Sequence, residues 1–360
     1  MSGLPDAQIT RELIRLFTWN VALEAEANHS EQAANDISTM LHIVRIYDHD
    51  PFQICMLVRA ALVNMTCHAT HRLLAQSSQL APATLKRLQD EFIREESLMI
   101  SLAEICRWER ALHDHDLKLL HSGEYTLNAY LEKQGSMFSG RPALTQWVWL
   151  DDLLKRIYPP IVLKFWGEPQ HYAKERADLL NFYDRIIEWT ASPEHQLLER
   201  FKAMSAEGQG VSPFVYMRNA YDTSKDDYKK NSFLNIDKIA RAMLSYRAHC
   251  RCITTALACE RYRLEKGVWP TTWEQLSPKY LPTTLLDPFT GKPLFLKALP
   301  DGLMIYSVGT NGVDDGGKIF PRDKQYYGDI GYRLWNPYQR RLDMSKELKV
   351  TEDESKGNNE

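Results

Sequence analysis

Apolar residues recur every three to four positions through most of residues 7–266, which is the period of helices with one buried side. The first predicted helix spans 7–28 and carries Ile9, Leu13, Leu16, Phe17 and Leu23 at helical spacing, with Asp6 after Pro5 as its N-cap. Ser30 is placed to cap a second helix, Glu31–Tyr47, with Ile37, Leu41, Val44 and Ile46 inward; Asp48-His49-Asp50-Pro51 ends it. Phe52–Leu74 is apolar on nearly all sides, which predicts a central helix. Ala81-Pro82 opens a fourth, read as continuous from Ala83 to about His113. The pattern predicts further helices at Leu144–Tyr158, Ile161–Trp166, Tyr172–Thr190 and Glu194–Met204. Hairpins of similar length with small residues at their contacts predict a stack of helical hairpins over 1–205, without a strict repeat. A polar, glycine-containing linker follows at 206–236. A long helix capped at Asn235 or Asp237 then runs to Lys266, with Ile239, Met243, Tyr246, Cys250, Ile253, Leu257 and Tyr262 along one seam and Gly267 as its C′ residue.

Past Gly267 the pattern changes. Pro270, Pro278, Pro282, Pro288, Pro293 and Pro300 each remove a backbone donor, so no long helix can cross this stretch. Thr272–Leu276 has room for a helical turn or two, and Asp287-Pro288-Phe289-Thr290-Gly291 reads as a tight turn. Pro293–Leu299 and Leu303–Val308 read as a short antiparallel hairpin joined at Pro300-Asp301-Gly302. The predicted architecture is therefore mainly α: stacked hairpins, a long helix, and a small α+β cap ending near 335. Residues 336–360 read as a charged, apolar-poor tail.

The cap carries an ordered set of motifs. Ala258-Cys259-Glu260-Arg261-Tyr262-Arg263 is followed by Gly267-Val268-Trp269-Pro270, Tyr280-Leu281-Pro282, Asp287-Pro288-Phe289, Gly291-Lys292-Pro293-Leu294 and Tyr306-Ser307-Val308-Gly309-Thr310-Asn311-Gly312. This set resembles the C-terminal half of the major pseudopilin of type II secretion systems. It is still more similar to the pseudopilin-like ends of large helical proteins from planctomycete-type bacteria. The resemblance covers roughly residues 237–332. It implies a pseudopilin-like cap and a place in an envelope-associated or secretion-related assembly. The membrane-spanning helix through which pseudopilins polymerise has no counterpart here, so pilus assembly is not implied.

Composition narrows the function classes. Hydrophobic content of 44% with 11% aromatics supports a packed core. A net charge of −3 shows no basic excess for nucleic acid, so none is expected as a partner. No apolar run reaches the length of a bilayer span, and no signal peptide stands at the start; an anchor or leader would have to belong to a segment removed from this sequence. The six cysteines lack zinc-finger spacing and read as buried thiols.

Two clusters carry candidate chemistry. The loop Gly309–Gly317 holds Asn311, Asp314 and Asp315 among four glycines, oxygen donors suited to a hard cation such as Ca2+. Its spacing excludes an EF-hand, since Arg322 falls where the closing glutamate belongs. In pseudopilins the loop binds calcium through an aspartate after the strand and a later Asp-x-Asp-Ile. The resemblance thus implies a calcium site that includes Asn311, in the first aspartate's place, and Asp329, with Tyr327 replacing the earlier acid of the second motif. The other cluster is His68-x-x-His71 with Glu109-x-x-x-His113, pairs that each share a helix face as metal ligands must. No nucleophile elbow, Walker loop, dinucleotide fingerprint or His-Glu-x-x-His is present. The expectation is a non-enzymatic scaffold that binds protein partners. The alternative is a helical-bundle metalloenzyme using His68, His71, Glu109 and His113.

Overall fold

A computed structural model describes residues 7–48, 52–77, 80–122, 169–206, 236–319 and 328–340. The predicted helices 144–158 and 161–166, the linker from 207 to 235 and the tail from 341 lie outside the described residues. The described chain is mostly helical, with one small three-stranded antiparallel sheet. The helices are α1 (Ala7–Glu26), α2 (Ser30–Val44), α3 (Gln53–Gln76), α4 (Pro82–Ser97), α5 (Leu102–Ser122), α6 (Pro169–Trp189), α7 (Leu197–Ala206) and α8 (Ile236–Lys266). The strands are β1 (Phe295–Leu299), β2 (Gly302–Ser307) and β3 (Ile330–Trp335).

The chain divides into two compact units. One contains α1, α2, α3 from Ile54 onward, α4, α8 from Arg241 onward, and the sheet. In it, α8 buries Met243, Tyr246, Cys250, Ile253, Leu257 and Tyr262, the seam read from the sequence. Gly267 ends α8 at φ 76°, its N–H bonded to the Arg263 carbonyl at 2.8 Å, as a left-handed C′ residue requires. β1 and β2 form the expected hairpin, with Leu299 opposite Gly302 across Pro300-Asp301. The turn at Asp287 does more than reverse the chain. Its buried carboxylate accepts from Phe289 N (2.8 Å), Ser307 Oγ (2.9 Å) and Val308 N (3.0 Å), tying the turn to the end of β2.

The other unit holds α5, α6 and α7. His113 meets the Tyr183 hydroxyl at 3.0 Å, Arg176 pairs with Asp114, and the His121 and Tyr172 rings stack at 3.9 Å. Trp189 of α6 packs edge-on against Phe201 of α7.

Four sequence expectations are corrected. The helix read as continuous from Ala83 to His113 is two helices, α4 and α5. The break has local causes: Arg59 Nη1 draws off the Leu98 carbonyl at 3.1 Å, and Ser101 Oγ accepts the Glu104 N–H at 3.1 Å as a new N-cap. Ser30 is the first residue of α2 and not its cap; its hydroxyl bonds that of Ser77 at 2.7 Å. The apolar stripe of α1 is not the face it buries. Thr10, Ile14, Val21 and Ala25 face the interior, while Ile9, Leu16 and Leu23 are each more than 60% exposed. Lastly, 336–340 is built onto the body and is no tail. Pro337–Gln339 is a short 3-10 turn, and Arg340 is buried, bonded to Glu260 and to the Trp335 and Ser77 carbonyls.

Candidate functional site

The loop after β2 brings all four candidate calcium ligands into one hydrogen-bonded network. Val308 leads into a 3-10 turn, Gly309–Asn311, and Gly312 at φ 71° reverses the chain. Asn311 spends its side chain locally: Oδ1 accepts from Val313 N at 3.0 Å and Nδ2 donates to Asp315 Oδ2 at 2.9 Å. Asp314 Oδ1 accepts from Gly316 N at 2.8 Å and from the Tyr306 hydroxyl at 3.1 Å. Asp329, at the start of β3, is buried and accepts Gly317 N at 2.7 Å and Asp315 N at 3.3 Å. Burial raises the Asp329 pKa, and the nearby charges of Asp315 and Asp314 add to that rise against the two backbone bonds. Lys297 of β1 reaches across to the Gly316 carbonyl at 2.7 Å. The donor set does not fit a calcium cage in this arrangement. Its side-chain oxygens accept from backbone N–H groups, the Asn311 amide and the Tyr306 hydroxyl, and the loop carbonyls of Gly309, Thr310 and Gly316 accept from Gly312 N, Arg241 and Lys297. Among the described residues no three His, Cys, Asp or Glu side chains gather so as to hold a metal ion.

His68 and His71 belong to a different site, where α3 and α8 support β3. His71 Nε2 donates to the Arg333 carbonyl at 2.7 Å, which fixes its tautomer, and its ring stacks on Trp335 at 5.5 Å and leans on Tyr332 at 5.2 Å. His68 lies edge-on to His249 (5.5 Å) and Tyr332 (5.7 Å), and His249 Nδ1 meets the Tyr332 hydroxyl at 2.8 Å. Cys252 donates to the Ile330 carbonyl at 3.4 Å. All six cysteines are buried thiols. Burial raises the pKa of Cys106 to about 12 and those of Cys250, Cys252 and Cys259 well above the ordinary range, so these sulfurs are held as unreactive thiols. His71 is partly exposed by area, but its ring faces are covered, and this desolvation lowers its pKa to about 4.

That shift has a consequence for stability. An unfolded histidine titrates near 6.5, so between that value and 4 the unfolded chain binds a proton the native chain refuses. Stability contributed by neutral His71 is full above pH 6.5 and drains as pH falls toward 4. Between pH 7 and 5 the loss from this residue is expected to be about 2 kcal/mol. Urea midpoints at both pH values would measure it. In His71→Gln, which keeps a donor for Arg333, that pH dependence should flatten; an unchanged slope would assign the loss elsewhere.

Glu109 and His113 lie on α5, in the other unit from His68 and His71. Glu109 Oε1 accepts from Gln53 N at 3.4 Å, and His113 is 3.9 Å from Glu109 Oε2 and hydrogen-bonded to Tyr183. Each pair is thus taken up inside its own unit.

The polar centre that sequence reasoning missed is Arg59–Glu95. Glu95 is fully buried on α4, and its Oε1 accepts Arg59 Nε at 3.0 Å and Nη2 at 2.7 Å. Asp48 lies 2.7 Å from Arg59 Nη1, and the Tyr246 hydroxyl donates to the Glu95 carbonyl at 2.8 Å. The available signal was Arg59 itself, a lone cation within an otherwise apolar helix. No protein-family model matches this chain, and no curated protein or solved structure matches it either.

Proposed function

We propose that this protein is a non-enzymatic scaffold: stacked helical hairpins that present a pseudopilin-like cap to protein partners in an envelope-associated or secretion-related assembly. One observation carries the reading. Polar side chains of α3, α4 and α8 are spent fastening the region after Gly267 to those helices. His71 holds β3. Gln89 and Arg261 both donate to the Tyr280 carbonyl, at 2.7 and 3.3 Å. Arg251 bridges Glu96 of α4 (2.7 Å) and the Leu286 carbonyl (2.8 Å). Such bonds make a rigid platform, which is what a docking surface needs to keep the ordering cost of binding low. Among the described residues no helix is long and apolar enough to cross a membrane.

Crosslinking and co-purification from the native host should return stoichiometric protein partners. Elemental analysis of the purified chain should find no stoichiometric iron or zinc; bound metal lost in His68→Ala would replace the scaffold by the metalloenzyme alternative. The melting midpoint should be the same in millimolar calcium and in chelator. A rise with calcium would show that the loop re-forms around an ion, because a ligand selective for the native state must stabilise it.

A further inference from the structure

The outward face of α1 is built to meet another helix. Ile9 is 66% exposed, Leu13 39%, Leu16 66%, Trp19 65% and Leu23 62%. Ile9, Leu13, Leu16, Asn20 and Leu23 step along the helix by four, three, four and three. That alternation is the heptad seam of a helix pair, in which knobs of one helix enter holes of the other. The opposite side of α1 is already satisfied: Ile14, Val21 and Ala25 are fully buried. Asn20 is the one polar place in the outward seam, exposed and reaching Asp36 of α2 at 2.7 Å. The helix therefore has two apolar faces, and the described residues bury one.

We propose that this face is a homodimer interface, with α1 packing against α1 of a second copy. Three considerations select that occupant. A two-fold contact needs one self-complementary patch, and a heptad seam meshes with its own copy. The five outward side chains would withdraw on the order of 500 Å² per chain, so a pair reaches about 1,000 Å², where specific interfaces begin. The flanking charges offer no single-sign field to another class of partner. Arg15 is paired with Glu12 on the same helix at 3.0 Å, and Glu24 and Glu26 would oppose an anionic lipid surface. The dimer neither requires nor excludes the scaffold reading, since an enzyme could pair through the same face.

Analytical ultracentrifugation of the full chain at up to about 100 μM, a range reached by ordinary specific interfaces, should give twice the 41.7 kDa of one chain. Leu16→Asp and Leu23→Asp should each weaken association at least tenfold. Both residues point away from the buried side, so the variants should keep the helical circular dichroism of the parent. Should either aspartate impair folding, the milder Leu16→Ala, which retains helix propensity, should still weaken the dimer several-fold. Two results would overturn the proposal: a wild-type chain that stays monomeric throughout that range, or a dimer whose affinity is unmoved by these substitutions.

Discussion

Replacing Arg59 by methionine is expected to destabilise the protein by about 3–5 kcal/mol, the cost of leaving a buried charge without its partner. The guanidinium is 4% exposed and Glu95 not at all, so water cannot take over from the lost cation. Arg45 remains, but its Nε is 3.6 Å from Glu95 Oε2, beyond a normal hydrogen bond. The Leu98 carbonyl, released from α4 and held by Arg59, would lose its donor as well. Replacing both members, Arg59→Met with Glu95→Leu, should recover most of the loss, because apolar pairs of similar volume commonly match a buried ion pair. Tyr246 would still find the Glu95 carbonyl. Urea unfolding of the two variants measures the contrast. A single variant within about 1 kcal/mol of the parent would mean that the network is hydrated and not buried.

The second large effect is steric. Gly302→Ala should cost about 3 kcal/mol or more, in the range of forced overpacking. A Cβ there would sit 1.8 Å from the Leu334 carbonyl oxygen, and backbone in a paired strand has little room to retreat. Gly331→Ala meets the Ile305 carbonyl at 2.2 Å from the other side of the same ladder and should behave alike. Hydrogen exchange would show the β2–β3 amides losing protection while those of α8 keep theirs. Gly312→Ala is the contrast. Its Cβ would meet nothing, and only the positive φ of 71° penalises it, so about 1 kcal/mol is expected. Equal costs at Gly302 and Gly312 would contradict the clash.

Much of the stretch after Gly267 was legible because its signals are local. Six prolines forbid a long helix, Gly267 supplies the left-handed stop, and Pro300-Asp301-Gly302 closes a hairpin whose strands are plainly apolar. β3 was missed because Ile330–Trp335 carries Gly331 and Arg333, and its strand character comes from pairing with β2. The α4–α5 break was readable in Ser101-Leu102-Ala103-Glu104, a serine followed by glutamate at capping spacing, but continuous helical periodicity around it hid the signal. Of the candidate ligands, Asn311, Asp314, Asp315 and Asp329 do share one network. Spacing could not show that backbone N–H groups would occupy them. His68 and His71 share a helix face as expected, yet that face meets aromatic rings and a carbonyl that lies 262 residues away in sequence.

The sequence by itself determined that the described chain is mostly helical, that the long helix stops at Gly267 and that the chain then turns into a hairpin. These depend on backbone dihedrals, missing donors and the period of apolar residues within a dozen positions. Only the tertiary structure decided which face of α1 is covered, which cation meets Glu95 and what Arg340 is for. Each of those answers needs a partner from a remote part of the chain. Periodicity says that a surface wants burying, but it carries no information about what will bury it.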